Sequence, residues 1–140
     1  MIGVISAFGV LSILAVVAVI LAGLTLVDWI PPRALTHTHM HVMKRRILRY
    51  AASHDALPTS LEQLPYFDGF DNSVTDGWRR PILWKVEGDQ VTLTSYGRDR
   101  TPGGFGEDAD MVGVFGARTP NGRWADELCE WQIDPFGPRK

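Results

Sequence analysis

The chain has 140 residues, 14 of them basic and 16 acidic, for a formal net charge of −2, and it contains a single cysteine. The length suits one small domain, and the near-zero charge argues against a basic nucleic-acid binder and against a charge-driven disordered tail. One cysteine excludes an internal disulfide framework and a zinc ribbon.

Hydrophobicity is concentrated at the start. Ile2 to Val27 contains no charged residue, and as one helix it would reach about 39 Å, more than the roughly 30 Å bilayer core. The run is apolar on every face and has no preceding basic residue, so it predicts a retained single-pass anchor over residues 1–30 rather than a cleaved signal peptide. Trp29 falls where an interfacial aromatic is expected. Residues 31–34 form a proline-containing hinge, because Pro31-Pro32 stops or kinks a helix.

The remainder, 35–140, reads as an α+β domain: an amphipathic helix followed by a small antiparallel sheet. Over Leu35–Ser53, Met40, Met43, Ile47, Leu48 and Ala51 recur at spacings of three and four, while Lys44, Arg45 and Arg49 are expected to face elsewhere. Arg33, Lys44, Arg45 and Arg46, with Trp29, make a candidate lipid-headgroup interface. Thr59 to Leu64 predicts a capped helical turn. Pro81–Glu87 and Gln90–Tyr96 alternate in strand fashion about Gly88-Asp89, which predicts a hairpin. Met111–Phe115 and Trp124–Ile133 are further strand candidates.

Two clusters carry possible chemistry. Gly97 to Asp110 holds four carboxylates and four glycines in fourteen residues. Hard oxygen ligands on a tightly turning backbone suit Ca²⁺, while an exposed acidic turn explains the same composition. An EF-hand register from Asp99 fails, because its third and fifth positions are Thr101 and Gly103. The second cluster is His37, His39 and His41. His37 and His41 share a helix face and can bind Zn²⁺ or Cu²⁺, but no acidic or cysteine third ligand lies nearby in sequence. No nucleophile elbow or metal-hydrolase motif occurs, and Cys129 lies between acids that would raise its pKa.

Tyr96-Gly-Arg-Asp99 followed by Gly103-Gly-Phe-Gly-Glu-Asp108-Ala-Asp110-Met resembles the C-terminal signature of the major pseudopilin of type II secretion systems. Thr75 to Trp84 and Tyr50 to Leu64 resemble two further segments of that family in the same order. The resemblance implies a pseudopilin-like fold with one Ca²⁺, bound by the side chains of Asp99, Asp108 and Asp110 and the carbonyls of Tyr96 and Gly113. The family's basic leader, its cleavage site and its early glutamate have no counterpart here. The resulting expectation is a non-catalytic accessory or scaffold subunit of an integral membrane complex, in the bacterial inner membrane with the domain on the periplasmic side. Its expected partners are lipids and other subunits, not nucleic acid. The basic cluster after the anchor argues for the opposite orientation. A component of a type II secretion apparatus and a membrane-tethered binding or sensor module are the alternatives.

Overall fold

The structure is a computed structural model that describes residues 12–20 and 30–137. The chain divides into two compact units, Met1–Ile30 and Pro31–Lys140.

In the first unit, residues 12–20 form helix α1, with exposed side chains. Among the described residues no helix is long and apolar enough to cross a membrane. The expected transmembrane anchor, and with it the single-pass inner-membrane location, is therefore corrected. Residues 2–11 and 21–27 of the expected span, and Trp29, lie outside the described residues.

The second unit is a small α+β domain. Its helix α2 runs Pro32–His54. The expected hinge is thus the helix start: Pro32 occupies the first turn, where its fixed φ suits the helix and its missing N–H costs nothing. Asp55, in the left-handed region at φ 51°, ends the helix. Met40, Met43, Ile47, Leu48 and Ala51 are all buried, so the three-and-four spacing marks the face that meets the sheet.

Strands β1 (Leu83–Glu87), β2 (Gln90–Ser95) and β3 (Met111–Gly116) form one antiparallel sheet in the order β1-β2-β3. Gly88 adopts φ +60°, which the first position of a tight hairpin turn demands. It sets the register Val86↔Val91 and Trp84↔Leu93. Period-two alternation then sends Val91, Leu93 and Ser95 of β2 into the interior. There they meet Met111 and Phe115 of β3 and the stripe of α2.

The C-terminal segment, Ala117 to Gly137, lays partly buried Trp124, Cys129 and Trp131 on this core. It forms isolated bridges, Arg118↔Trp124 and Val114↔Ile133, in place of the strand expected at Trp124–Ile133. Asp126 is the reason. Its side chain accepts from Leu128 N (2.8 Å) and its carbonyl from Cys129 N (2.9 Å), a local turn that competes with extended pairing.

Candidate functional site

The acidic loop joins β2 to β3. Gly97 and Gly104 carry φ +59° and +82°, and a Cβ on either would fall 2.6 Å from the Asp108 carbonyl oxygen. Only glycine permits that approach. Backbone bonds Arg98 N to Glu107 O (2.8 Å) and Asp110 N to Gly103 O (3.2 Å) close the loop across its width.

Neighbouring elements hold it from outside. Arg33, in the first turn of α2, donates to Ala109 O (2.7 Å). Arg80 donates to the carbonyls of Gly97 and Arg98 and pairs with buried Asp76 (2.9 Å). Asp76 in turn accepts from Trp78 N (3.0 Å), Arg80 N (2.9 Å) and Ser95 Oγ (2.9 Å). These bonds give the Thr75–Trp84 segment a physical role: Asp76 aims Arg80 at the loop. Gly77 follows Asp76 because a Cβ there would overlap Pro32 O at 2.0 Å.

The expected calcium ligands are not gathered around one point. Asp108 forms a two-pronged pair with Arg98, Nε to Oδ1 at 2.8 Å and Nη2 to Oδ2 at 3.0 Å. That bond holds its carboxyl below the usual carboxylate range. Asp99 Oδ1 accepts from Thr101 N (3.0 Å), and Asp110 Oδ2 accepts from Gly103 N (3.0 Å). Asp110 Oδ1 is buried with no hydrogen-bond partner. Tyr96 directly follows β2. Gly113 lies mid-strand in β3, opposite Leu93 and beneath the Trp131 ring. Asp108 is thus neutralised by Arg98, while Asp110 keeps one buried oxygen unpaired, against the six to eight oxygens that Ca²⁺ takes.

Of the expected lipid-facing cations, Lys44 and Arg46 turn inward, while Arg33 and Arg45 stay half-buried. Lys44 is buried, donates to Cys129 O and lies 5.0 Å from the Trp131 ring centre. Burial pushes its pKa down, and burial pushes the Cys129 thiol up. Arg46, also buried, donates to Pro65 O (2.8 Å), Asn72 O (2.7 Å) and Leu64 O (3.3 Å). Arg45 lies 3.5 Å from Glu127 and over the Phe67 and Phe70 rings. Arg33 is taken by Ala109. In this structure the charges of these four residues serve the chain's own carbonyls, carboxylates and rings.

The histidine cluster divides. His39 uses both nitrogens, Nδ1 to Thr75 O (2.6 Å) and Nε2 to Asp71 Oδ2 (3.0 Å). Ser73 N, then His39, holds the Asp71 carboxyl below its ordinary range. On the adjacent face, His37 and His41 bring their Nε2 atoms to 3.0 Å. The C-terminal segment places Asp134 Oδ1 3.5 Å from His37 Nε2. Among the described residues these three form the one group of His, Cys, Asp or Glu whose ligand atoms all lie within 4.8 Å of one another. They adjoin a cleft of about 510 Å³ lined by His41, Lys44, Cys129, Trp131 and Asp134 among others. Asp134 has no signal in the sequence, since 93 positions separate it from His41 and only the fold joins them.

No family model, curated protein or solved structure matches this chain.

Proposed function

We propose that this chain is a non-catalytic structural subunit that joins protein partners in a larger assembly, of the kind that type II secretion pseudopilins build. The observation that carries the reading is Phe105. It stands 93% exposed at the tip of a loop braced by Arg33, Arg80, the Arg98–Asp108 pair and two cross-loop backbone bonds. A floppy loop would let such a ring fold back onto apolar surface. This one holds it in water, and burying a phenylalanine against a partner returns about 1.5–3 kcal/mol. The resemblance of the loop and of the Asp76 segment to the pseudopilin signature points the same way, and the reading needs no bound ion.

A photo-crosslinking residue at position 105 of the full chain, introduced in the native cells, tests it. The expected result is one or a few adducts of fixed mass, with none from the exposed hairpin position Glu87. Phe105→Ser should lower the mass of the complex recovered on a sizing column and leave the thermal melt within about 1 °C, as an exposed substitution does. No adduct at 105 together with an unchanged complex in Phe105→Ser would refute the proposal.

A further inference from the structure

Two imidazoles one helical turn apart, facing a carboxylate from the far end of the chain, make a ligand set of mixed nitrogen and oxygen. We propose that His37, His41 and Asp134 bind one divalent transition ion, with Zn²⁺ the reference occupant, and that the ion staples the C-terminal segment to α2.

The distances fit before any ion enters. Zinc bonds of about 2.0–2.1 Å in a tetrahedron set neighbouring ligand atoms about 3.3–3.4 Å apart. The structure has 3.0 Å between the two Nε2 atoms and 3.5 Å from His37 Nε2 to Asp134 Oδ1. Each donor is positioned independently of the others. The two histidines sit at i and i+4 of an unbroken helix. Asp134 is oriented by its own turn, in which Phe136 N donates to Oδ1 (2.9 Å) and Gly137 N to its carbonyl (2.8 Å). The Phe136 ring meets His37 edge to face, with ring centres 4.5 Å apart, and so limits the freedom of that imidazole.

Access and chemistry agree. The His37 and Asp134 side chains are 22% and 23% exposed, open enough for an ion to enter and closed enough for the ligands to stay ordered. Three protein ligands leave a fourth position for water. Imidazole nitrogen favours Zn²⁺, Co²⁺, Ni²⁺ and Cu²⁺ over Ca²⁺ and Mg²⁺, which prefer oxygen alone. A metal ion binds only neutral imidazole and ionised carboxylate, so binding weakens as the pH falls. Trp131 Nε1 donates to His41, 3.1 Å from Nε2. An ion on that nitrogen displaces the indole, and tryptophan emission reports the exchange. The site shares no residue with the Phe105 loop, so it can fail while the assembly reading holds, and the reverse.

The test uses the full chain without an affinity tag, stripped with EDTA and dialysed. Titration with Zn²⁺ by calorimetry should give one ion per chain. Co²⁺ should produce the visible absorption of a four- or five-coordinate nitrogen–oxygen site, and Zn²⁺ should change the tryptophan emission. Asp134→Asn and His41→Ala should each weaken Zn²⁺ at least about tenfold, and His54→Ala should leave it unchanged. Asp134→Asn keeps the side-chain shape and guards against mere unfolding, which a thermal melt of each metal-free variant checks. Absence of binding at 100 µM Zn²⁺, or binding equally tight in Asp134→Asn and His41→Ala, would overturn the site. Loss in His41→Ala with Asp134→Asn at full affinity would overturn the three-ligand assignment.

Discussion

Replacing Arg46 with methionine separates an internal role for this cation from a surface one. The guanidinium serves three backbone acceptors, at Pro65, Asn72 and Leu64, and so fastens the connection between α2 and the sheet. Burial lowers the Arg46 pKa, the mark of a charge held away from water. Methionine keeps the stem and the helix propensity but strands the three carbonyls. At about 1 kcal/mol each, less the desolvation recovered by removing the charge, the loss comes to about 2–3 kcal/mol. For a domain of this size that is about 8–20 °C in Tm. Arg46→Lys, with a single ammonium in place of the fork, should lose about half as much. The assay is thermal and urea unfolding of the full chain, followed by far-UV circular dichroism. A headgroup-binding arginine on a surface would leave Tm unchanged, so a shift under about 2 °C for Arg46→Met would refute the internal assignment.

Other perturbations have equally definite outcomes. Gly97→Ala meets both a positive φ and a Cβ 2.6 Å from Asp108 O, whereas Gly88→Ala meets a similar φ with nothing within 4 Å. Urea unfolding should show about 2–4 kcal/mol lost for the first and about 1 kcal/mol for the second, and equal losses would remove the close-approach argument. The Arg98–Asp108 pair depresses the Asp108 pKa, so its contribution is present above the ordinary carboxylate value near 3.9 and disappears as pH falls through the lowered folded value. The Tm gap between wild type and Asp108→Asn should therefore close between about pH 5 and pH 2, and a gap that persists in acid would show that something other than charge maintains it. Calcium chloride should raise the Tm of Arg98→Gln more than that of wild type, because the loop carboxylates then lack their counter-charge. An equal rise in both would show that Asp108 leaves Arg98 for the ion.

What was readable in the chain depended on which interaction set each element. The hairpin is local: alternation on both sides of Gly88-Asp89 encodes β1, β2 and their register, and Met111–Phe115 announces β3 more weakly. The stripe of α2 is also local, but the cations within it follow spacing rather than type. Lys44 lies four residues after Met40 and three before Ile47, and Arg46 three after Met43. Both therefore belong to the buried face, although their charge suggests solvent, and each stays there because backbone carbonyls from other segments receive it. The carboxylates of the β2–β3 loop were visible as a group. That Arg98 would claim Asp108 was not, since composition does not say which way side chains turn. The third member of the histidine cluster was the least accessible, because Asp134 arrives only through the path of the C-terminal segment. At the N-terminus, unbroken hydropathy promised a span, whereas among the described residues no helix is long and apolar enough to cross a membrane.

The order of the elements has a consequence for synthesis. Helix α2 leaves the ribosome before any strand of its domain, yet the surfaces that shelter Met40, Met43 and Ile47 come from strands that finish only at Gly116. At about 5–20 residues per second, translation from the end of the helix to the end of β3 takes about 3–12 s. The nascent chain therefore carries an uncovered methionine-rich ridge for seconds, long enough for a chaperone to hold it or for another unfinished copy to stick to it.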